Sequence, residues 1–450
     1  MLKKILKKAT EFKYLTIVLL LSMIVRVFLL HPIYSDETIY FNAGKLILDG
    51  KIPYKDYFLA HPPIQIFVYT ILFKIFGMNF SLVKIFQLLF SSSCVLVLFL
   101  IVKEIYDKKT ALTSSIIFLF TPSFIIFSLI GIGMWESMLF ILISFYLILK
   151  NKPLPASIFY NLAIFTRYIS LIYLPFFISY IYFKRKKLLN FLKPLSIFLL
   201  ISFSIFSFVF GFEYINQTIL YHLQRPKGTT DMTQYFSIGF FTLFLSAIAI
   251  FIGYVERDMD LIFFAATPLF ADLMILFLMN PVYYHYFLIS IPFLCIGLGR
   301  IFMKSRYKAT KIVVVAILFL SILSNFQTID FYLNPKHSFK FYYISGLVQK
   351  NVSKNETIFG EPAMVNFISL TKGVKIFNDY TDSYLQRISF EGETEFIQKL
   401  ERNPPKIFID FRFDNKSYYL SNPKFVQFMS GYILVERIEG IPAYDIYLHK

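Results

Sequence analysis

The sequence predicts an α-helical polytopic membrane protein of about 11 transmembrane helices, with a small extracytoplasmic α/β domain at its C-terminal end. Three observations predict it. The 450 residues are 57% hydrophobic and 20% aromatic, with a mean hydropathy of +0.61. Long apolar runs recur along residues 1–330, and short basic clusters punctuate them. Beyond residue 330 the apolar runs stop and shorter helix-like and strand-like pieces take over. A chain so apolar cannot leave water as its only solvent, and spans of about 20 apolar residues suit a bilayer.

Apolar runs lie at 14–31, 81–102, 111–128, 137–149, 156–166, 168–183, 195–211, 236–254, 261–279, 286–302 and 311–327. Basic clusters near residues 3–8, 103–109, 150–152, 184–187 and 300–308 mark cytoplasmic loops. The net charge is +17, yet residues 331–450 carry 15 Lys and Arg against 13 Asp and Glu. The excess therefore sits beside the apolar runs, the pattern of membrane orientation, and a nucleic-acid partner is not expected. Parity makes 156–183 a hairpin that turns near Thr166-Arg167-Tyr168, because it joins two basic loops. The run 64–76 is too short to cross and reads as an interfacial helix anchored by Tyr69 and Lys74. With the N-terminus cytoplasmic, the domain 331–450 is extracytoplasmic, and so is the first loop, 32–80. Five Asn-x-Ser/Thr sequons, at Asn79, Asn216, Asn351, Asn355 and Asn415, all fall on that outer side.

In 331–450, pieces at 346–352, 357–359, 374–377, 396–400 and 407–410 alternate between helix-like and strand-like, and 432–436 and 444–448 read as a closing pair of strands. Cys94 and Cys295 both lie in apolar runs, so no disulfide framework is expected.

The candidate chemistry starts at Asp36 and Glu37, a carboxylate pair placed just beyond the first apolar run. Carboxylates are costly near a bilayer and usually functional there, and one at the surface can take a proton from an incoming hydroxyl. The plainer reading is that Ser35-Asp36-Glu37 caps a helix. His61 precedes Pro62-Pro63 at the start of the interfacial helix and can contact a phosphate or sugar. Arg167 at the hairpin turn can bind phosphate bidentately or snorkel to the surface. Arg225 and Lys227, in Tyr-His-Leu-Gln-Arg-Pro-Lys-Gly at 221–228, put positive charge above the outer leaflet, where they can hold an anionic headgroup or stand as solvated loop charges. Tyr284 and His285 enter a late run from outside, where an aromatic belt would also suit them. Glu136, beside the single tryptophan Trp135, can orient a sugar or pair with a base. Arg26 and Asp272 fall inside runs and are expected to be structural, as an ion pair facing the bundle interior. No HExxH or CxxC motif and no acidic Asp-x-Asp site is read. No metal site or cofactor is therefore expected, with a divalent cation left open, and this favours a donor bearing a single phosphate.

The residues Asp36-Glu37, Gly50-Lys51-Ile52-Pro53-Tyr54-Lys55-Asp56, His61-Pro62-Pro63 and Lys74-Ile75-Phe76-Gly77 carry a resemblance. Weaker matches are Thr166-Arg167-Tyr168 and Tyr284-His285-Tyr286-Phe287-Leu288. The chain resembles membrane glycosyltransferases of the C-type fold, most closely the dolichyl-phosphate-mannose–protein mannosyltransferase and aminoarabinose transferase group. The resemblance covers the layout of about residues 1–300. It implies transfer of one sugar from a polyprenyl-phosphate donor to a protein, lipid or glycan acceptor on the outer face of the cell membrane, with inversion. It puts the catalytic base at or near Asp36 and gives Glu37 a positioning role. The aminoarabinose enzymes carry lysine at the place of His61, where it contacts the lipid phosphate.

The alternative is a transporter or flippase of a lipid-linked sugar, which would show symmetric repeats and broken midplane helices. Neither is evident in the sequence. An oligosaccharyltransferase is disfavoured, since those enzymes carry Trp-Trp-Asp in a larger outer domain and Trp135 is the only tryptophan here.

Overall fold

The computed structural model describes residues 35–450 apart from 186, 225–239, 280–281, 307, 327–328, 331–333, 354, 380–391, 414–415 and 441–442, and a few positions between 13 and 26. The first expected run, 14–31, and the candidates Arg225 and Lys227 thus lie largely or wholly outside the described residues. Of Tyr284 only the backbone is described.

Each later apolar run is helical over most of its described length. Four described helices are long and apolar enough to cross a bilayer: Phe80–Ile105, Leu188–Phe210, Met259–Leu278 and His285–Lys304, whose first turns are 3-10. Several others are interrupted. The 111–128 run splits into Lys108–Leu119 and Pro122–Phe127, where Thr121 caps the second piece and Pro122 stands at its first turn. The expected hairpin breaks where it was read. Helix Pro153–Thr166 ends at Arg167, whose backbone is extended, and a 3-10 turn, Tyr168–Tyr173, leads into Leu174–Tyr180.

The chain divides into two compact units. The first comprises Met1–Leu30, Lys84–Phe206 and Gln224–Leu333. Its interior is held by aromatic contacts: Phe176 lies 5.0 Å from Phe263 and 4.8 Å from Phe293, and Phe145 lies 4.9 Å from Tyr180. Arg26 and Asp272 are both buried here, but each has its own neutral partner. The Arg26 guanidinium donates to the Leu119 carbonyl and lies over the Phe124 ring, and Asp272 accepts from the Ser290 hydroxyl. Asp258-Met259-Asp260 does form an Asp-x-Asp sequence, contrary to the reading above. Asp258 caps the Met259–Leu278 helix and pairs with Arg300 at 2.7 Å, while Asp260 pairs with Lys184 at 2.7 Å.

The second unit joins three distant stretches: His31–Val83, Ser207–Leu223 and Asn334–Lys450. Its C-terminal part is an α/β fold. Strands β1 (Thr357–Gly360), β2 (Lys375–Ile376), β3 (Ile407–Phe413), β4 (Lys416–Ser417), β5 (Tyr432–Ile438) and β6 (Ala443–His449) form one sheet. The order is β2-β1-β3-β6-β5, with β4 pairing β3. The β2-β1-β3 pairs are parallel, and β6 runs antiparallel to both β3 and β5. Helices Pro335–Asn351, Pro362–Lys372 and Glu393–Arg402 cover it. The pieces read at 357–359 and 407–410 and the closing pair at 432–436 and 444–448 lie within observed strands, and the piece at 374–377 holds the short strand β2, as β-branched and aromatic residues at pleated positions would give. Helix Pro362–Lys372 lies between the expected pieces and matches none of them. Phe359, Phe408, Tyr419 and Phe425 pack in tilted and edge-to-face contacts at the heart of this core.

The amino-terminal part of the same unit is a pair of helices, Ser35–Leu48 and Ile64–Phe76. They pack closely because of Gly44. A Cβ there would stand 3.0 Å from the Tyr69 Cβ and 3.3 Å from the Thr70 nitrogen. The Thr70 hydroxyl donates to the Gly44 carbonyl at 3.1 Å across that approach.

Candidate active site

Asp36 and Glu37 do not lie in a loop. They occupy the first turn of the Ser35–Leu48 helix, where acidic side chains complement the exposed N–H groups. The capping reading therefore describes their backbone, and their side chains diverge. Glu37 is fully buried, whereas Asp36 stays partly exposed. Tyr40 lies one turn further on the same face as Asp36. Its ring sits 5.5 Å from that of His61, placing His61 on the Asp36 side of the helix. The His61 ring in turn stacks on His222 at 5.6 Å. His222 was not singled out from the sequence, although the 221–228 segment contained it. Its ring nitrogen lies 2.7 Å from the Ala60 carbonyl, which locks the two histidine segments together.

The loop between the helices is held to one shape. Ile52 N–H donates to the Asp56 carboxylate at 2.6 Å, and Tyr54 adopts a left-handed φ of 67°. Gln217 secures it from the 207–223 stretch. Its amide donates to the Tyr54 carbonyl at 2.8 Å, and its carbonyl accepts from Leu59 N–H at 3.0 Å. The Tyr54 hydroxyl donates to the His61 carbonyl at 2.7 Å. The distinctive 50–63 segment is thus a rigid frame for His61.

A second carboxylate comes from the C-terminal part. Glu361 follows β1 and caps helix Pro362–Lys372, accepting from Met364 N–H at 2.7 Å. Its N–H donates to the Ile409 carbonyl at 2.8 Å. Only glycine fits at 360: φ is +142°, and a Cβ would stand 2.0 Å from the Ile409 oxygen. Burial pushes the Glu361 carboxyl up to about 7, with the Asp36 charge adding to the rise and the helix N–H groups opposing it. Helix Pro362–Lys372 runs beside Ser35–Leu48 in the same direction. Glu361 interacts with Asp36, and the Asn42 amide donates to the Asn366 side-chain oxygen at 2.8 Å.

In the other unit, Arg167 is buried, and its guanidinium donates to the Ile132 carbonyl. It also lies within electrostatic range of His285, which is buried and stacked on Tyr283 at 5.6 Å. Arg167 is thus drawn into the protein interior rather than snorkelling to the surface. Glu136 is fully buried at the first turn of Met134–Leu149 and accepts from Gln87 at 2.9 Å. Gln87 and Lys84, both fully buried, stand one turn apart on the Phe80–Ile105 helix. The sequence signal for them was a lysine and a glutamine inside the 81–102 run.

Comparison with known proteins gives three results. Residues 60–212 match the family model of the dolichyl-phosphate-mannose-protein mannosyltransferases. The matched segment holds His61, Glu136 and Arg167 and begins after Asp36 and Glu37. GPI mannosyltransferase 1 of Saccharomyces cerevisiae is 29% identical over 251 residues, which are 50% of this chain and 60% of that protein. The chain thus spans less than two thirds of this curated relative. Among solved structures, ArnT from Cupriavidus metallidurans bound to undecaprenyl phosphate superposes with a TM-score of 0.63 at 10% identity, covering 97% of this chain and 98% of that one. The Archaeoglobus fulgidus oligosaccharyltransferase tethered to an acceptor peptide gives 0.55 at 13% identity, over 88% and 69%. The chain has the fold of the C-type membrane glycosyltransferases, and the likeness carried by its motifs is found again in both sequence and fold.

Proposed function

We propose that this protein is an integral-membrane glycosyltransferase that moves one sugar from a polyprenyl-phosphate donor to an acceptor hydroxyl, with inversion. Reaction takes place on the outer face of the cell membrane, with the N-terminus cytoplasmic. The family match and the likeness to a structure holding undecaprenyl phosphate support the donor class. So does the Archaeoglobus fulgidus oligosaccharyltransferase, solved with dolichol-phosphate, at a TM-score of 0.52. The observation that carries the reading is the contact chain from the Ser35–Leu48 helix, where Tyr40 stands one turn beyond Asp36, through His61 to His222, with Glu361 within electrostatic range of Asp36.

The chemistry follows from that chain of contacts. A polyprenyl chain stays in the bilayer, so its phosphate reaches the protein only at the interface. Asp36 takes the proton of the acceptor hydroxyl. The freed oxygen attacks the anomeric carbon from the side opposite the phosphate. The bond from that carbon to the phosphate oxygen breaks, and the lipid phosphate leaves with the electron pair. His61 and His222, when protonated, offset the charge that develops on it. One displacement inverts the anomeric centre and needs no covalent intermediate.

Transfer of label from polyprenyl-phosphate sugars in proteoliposomes tests this. Asp36→Asn should lower transfer by about 10²–10⁴-fold, the usual contribution of general-base catalysis, with the fold retained. Unimpaired transfer by that variant removes Asp36 from the mechanism.

A further inference from the structure

Towards the C-terminal ends of helices Ser35–Leu48 and Pro362–Lys372 lies a groove of about 390 Å³. Asn42, Lys45, Asp49 and Lys51 line it from one side, and Ser369 and Asp379 from the other. Its size falls within the range of small-molecule sites. At its wall Asn42 is 1% exposed. The Asn366 amide donates to the Pro362 carbonyl at 2.7 Å, so its oxygen faces Asn42 and receives the Asn42 amide. The Asn42 side-chain oxygen is thereby turned away and has no hydrogen-bond partner among the described residues. A buried acceptor left this way costs about 1–3 kcal/mol, a cost that a ligand hydroxyl relieves once the groove wall shifts to admit it to this atom.

The rim shows which ligand fits. Lys45 pairs with Asp49 at 3.0 Å and Lys51 with Asp379 at 2.7 Å. These pairs offset each other's charge, so they do not select an ion. They do alternate ammonium donors with carboxylate acceptors, and a hydroxyl uses both. Val374 and Ile376 add an apolar strip suited to the C–H face of a sugar ring.

We propose that this groove is a carbohydrate subsite that holds the acceptor glycan. Its name as the acceptor subsite rests on the transfer reading above; its affinity for sugar does not. Asn42 follows Asp36 by six residues on one helix, about 9 Å of rise. A glycan seated on Asn42 therefore lies within a short extension of the base.

The test is binding of free mannobiose, cellobiose and chitobiose to the full-length protein in nanodiscs, with no donor present, read by saturation-transfer NMR and calorimetry. Val374→Trp fills the groove from its rim, and Asn42→Leu removes the unpartnered oxygen. Either variant should weaken disaccharide binding at least tenfold. Binding of none of the three disaccharides by the wild type overturns the subsite, and so does binding that Val374→Trp leaves unchanged. Groove-dependent binding in a protein that shows no transfer with any polyprenyl-phosphate sugar supports the subsite and removes the transfer reading.

Discussion

Replacing Glu361 by glutamine isolates one charge in the candidate site. The folded protein holds this carboxyl protonated up to about pH 7 because burial and the neighbouring Asp36 disfavour its anion. The unfolded chain releases the same proton near the ordinary value of 4.5. Below pH 4.5 both states are protonated and the group is neutral towards stability. As pH rises from there to about 7, only the unfolded state ionises, so stability falls, and above 7 the loss is complete. A rise from 4.5 to about 7 sets a ceiling of about 3 kcal/mol. The side chain is partly exposed, so screening reduces the expected loss to about 1–2 kcal/mol. Glutamine keeps an oxygen to accept from Met364 N–H and has nothing to titrate. The assay is hydrogen exchange of the Pro362–Lys372 amides in the intact membrane protein, corrected for the pH dependence of intrinsic exchange. The wild type should lose protection between pH 4.5 and 7, and Glu361→Gln should not. Equal pH dependence in the two proteins, or protection that rises with pH in the wild type alone, refutes the reasoning. Transfer activity carries the same signature. Ionised Glu361 favours proton uptake by its neighbour, so a rise in rate around pH 7 should vanish in Glu361→Gln.

Other perturbations follow from the same geometry. Gln217→Leu strips the Tyr54 carbonyl and the Leu59 N–H of their buried partners. It should destabilise the loop by about 2–4 kcal/mol, seen as faster proteolysis within residues 50–60. Gly44→Val cannot keep the approach to Tyr69; it should part the Ser35–Leu48 and Ile64–Phe76 helices and lower transfer, with a measurable fall in melting temperature. Phe359→Ala empties the centre of the C-terminal core and should cost about 3–5 kcal/mol, read as lost amide protection across β1 and β3.

Much was legible along the chain. Apolar runs locate the helices because lipid leaves the backbone no outside hydrogen-bond partner, so an apolar stretch has few alternatives to helix. The strands of the C-terminal fold were equally plain, since alternation on a pleated sheet is a local property. Helix Pro362–Lys372 escaped notice, although Glu361-Pro362 is an ordinary helix start. Its Asn366 and Ser369 are buried, and they blur the apolar stripe by which a helix is recognised. Arg167 was correctly placed at a turn, but its buried setting and its carbonyl partner depend on residues 35 positions away. Gln87 and Glu136 form a buried polar pair that spans 49 positions.

The sequence alone determined where most of the membrane helices and the longer strands form, and it offered Ser35-Asp36-Glu37 as a helix start, because hydrophobic period and helix-end chemistry act over a few residues. Only the tertiary structure decided that Glu361 comes within electrostatic range of Asp36, that His222 stacks on His61, and that Asn42 meets Asn366 across 324 residues. Those pairings arise when distant segments bury their surfaces together, and no local pattern records which distant segment will be the partner.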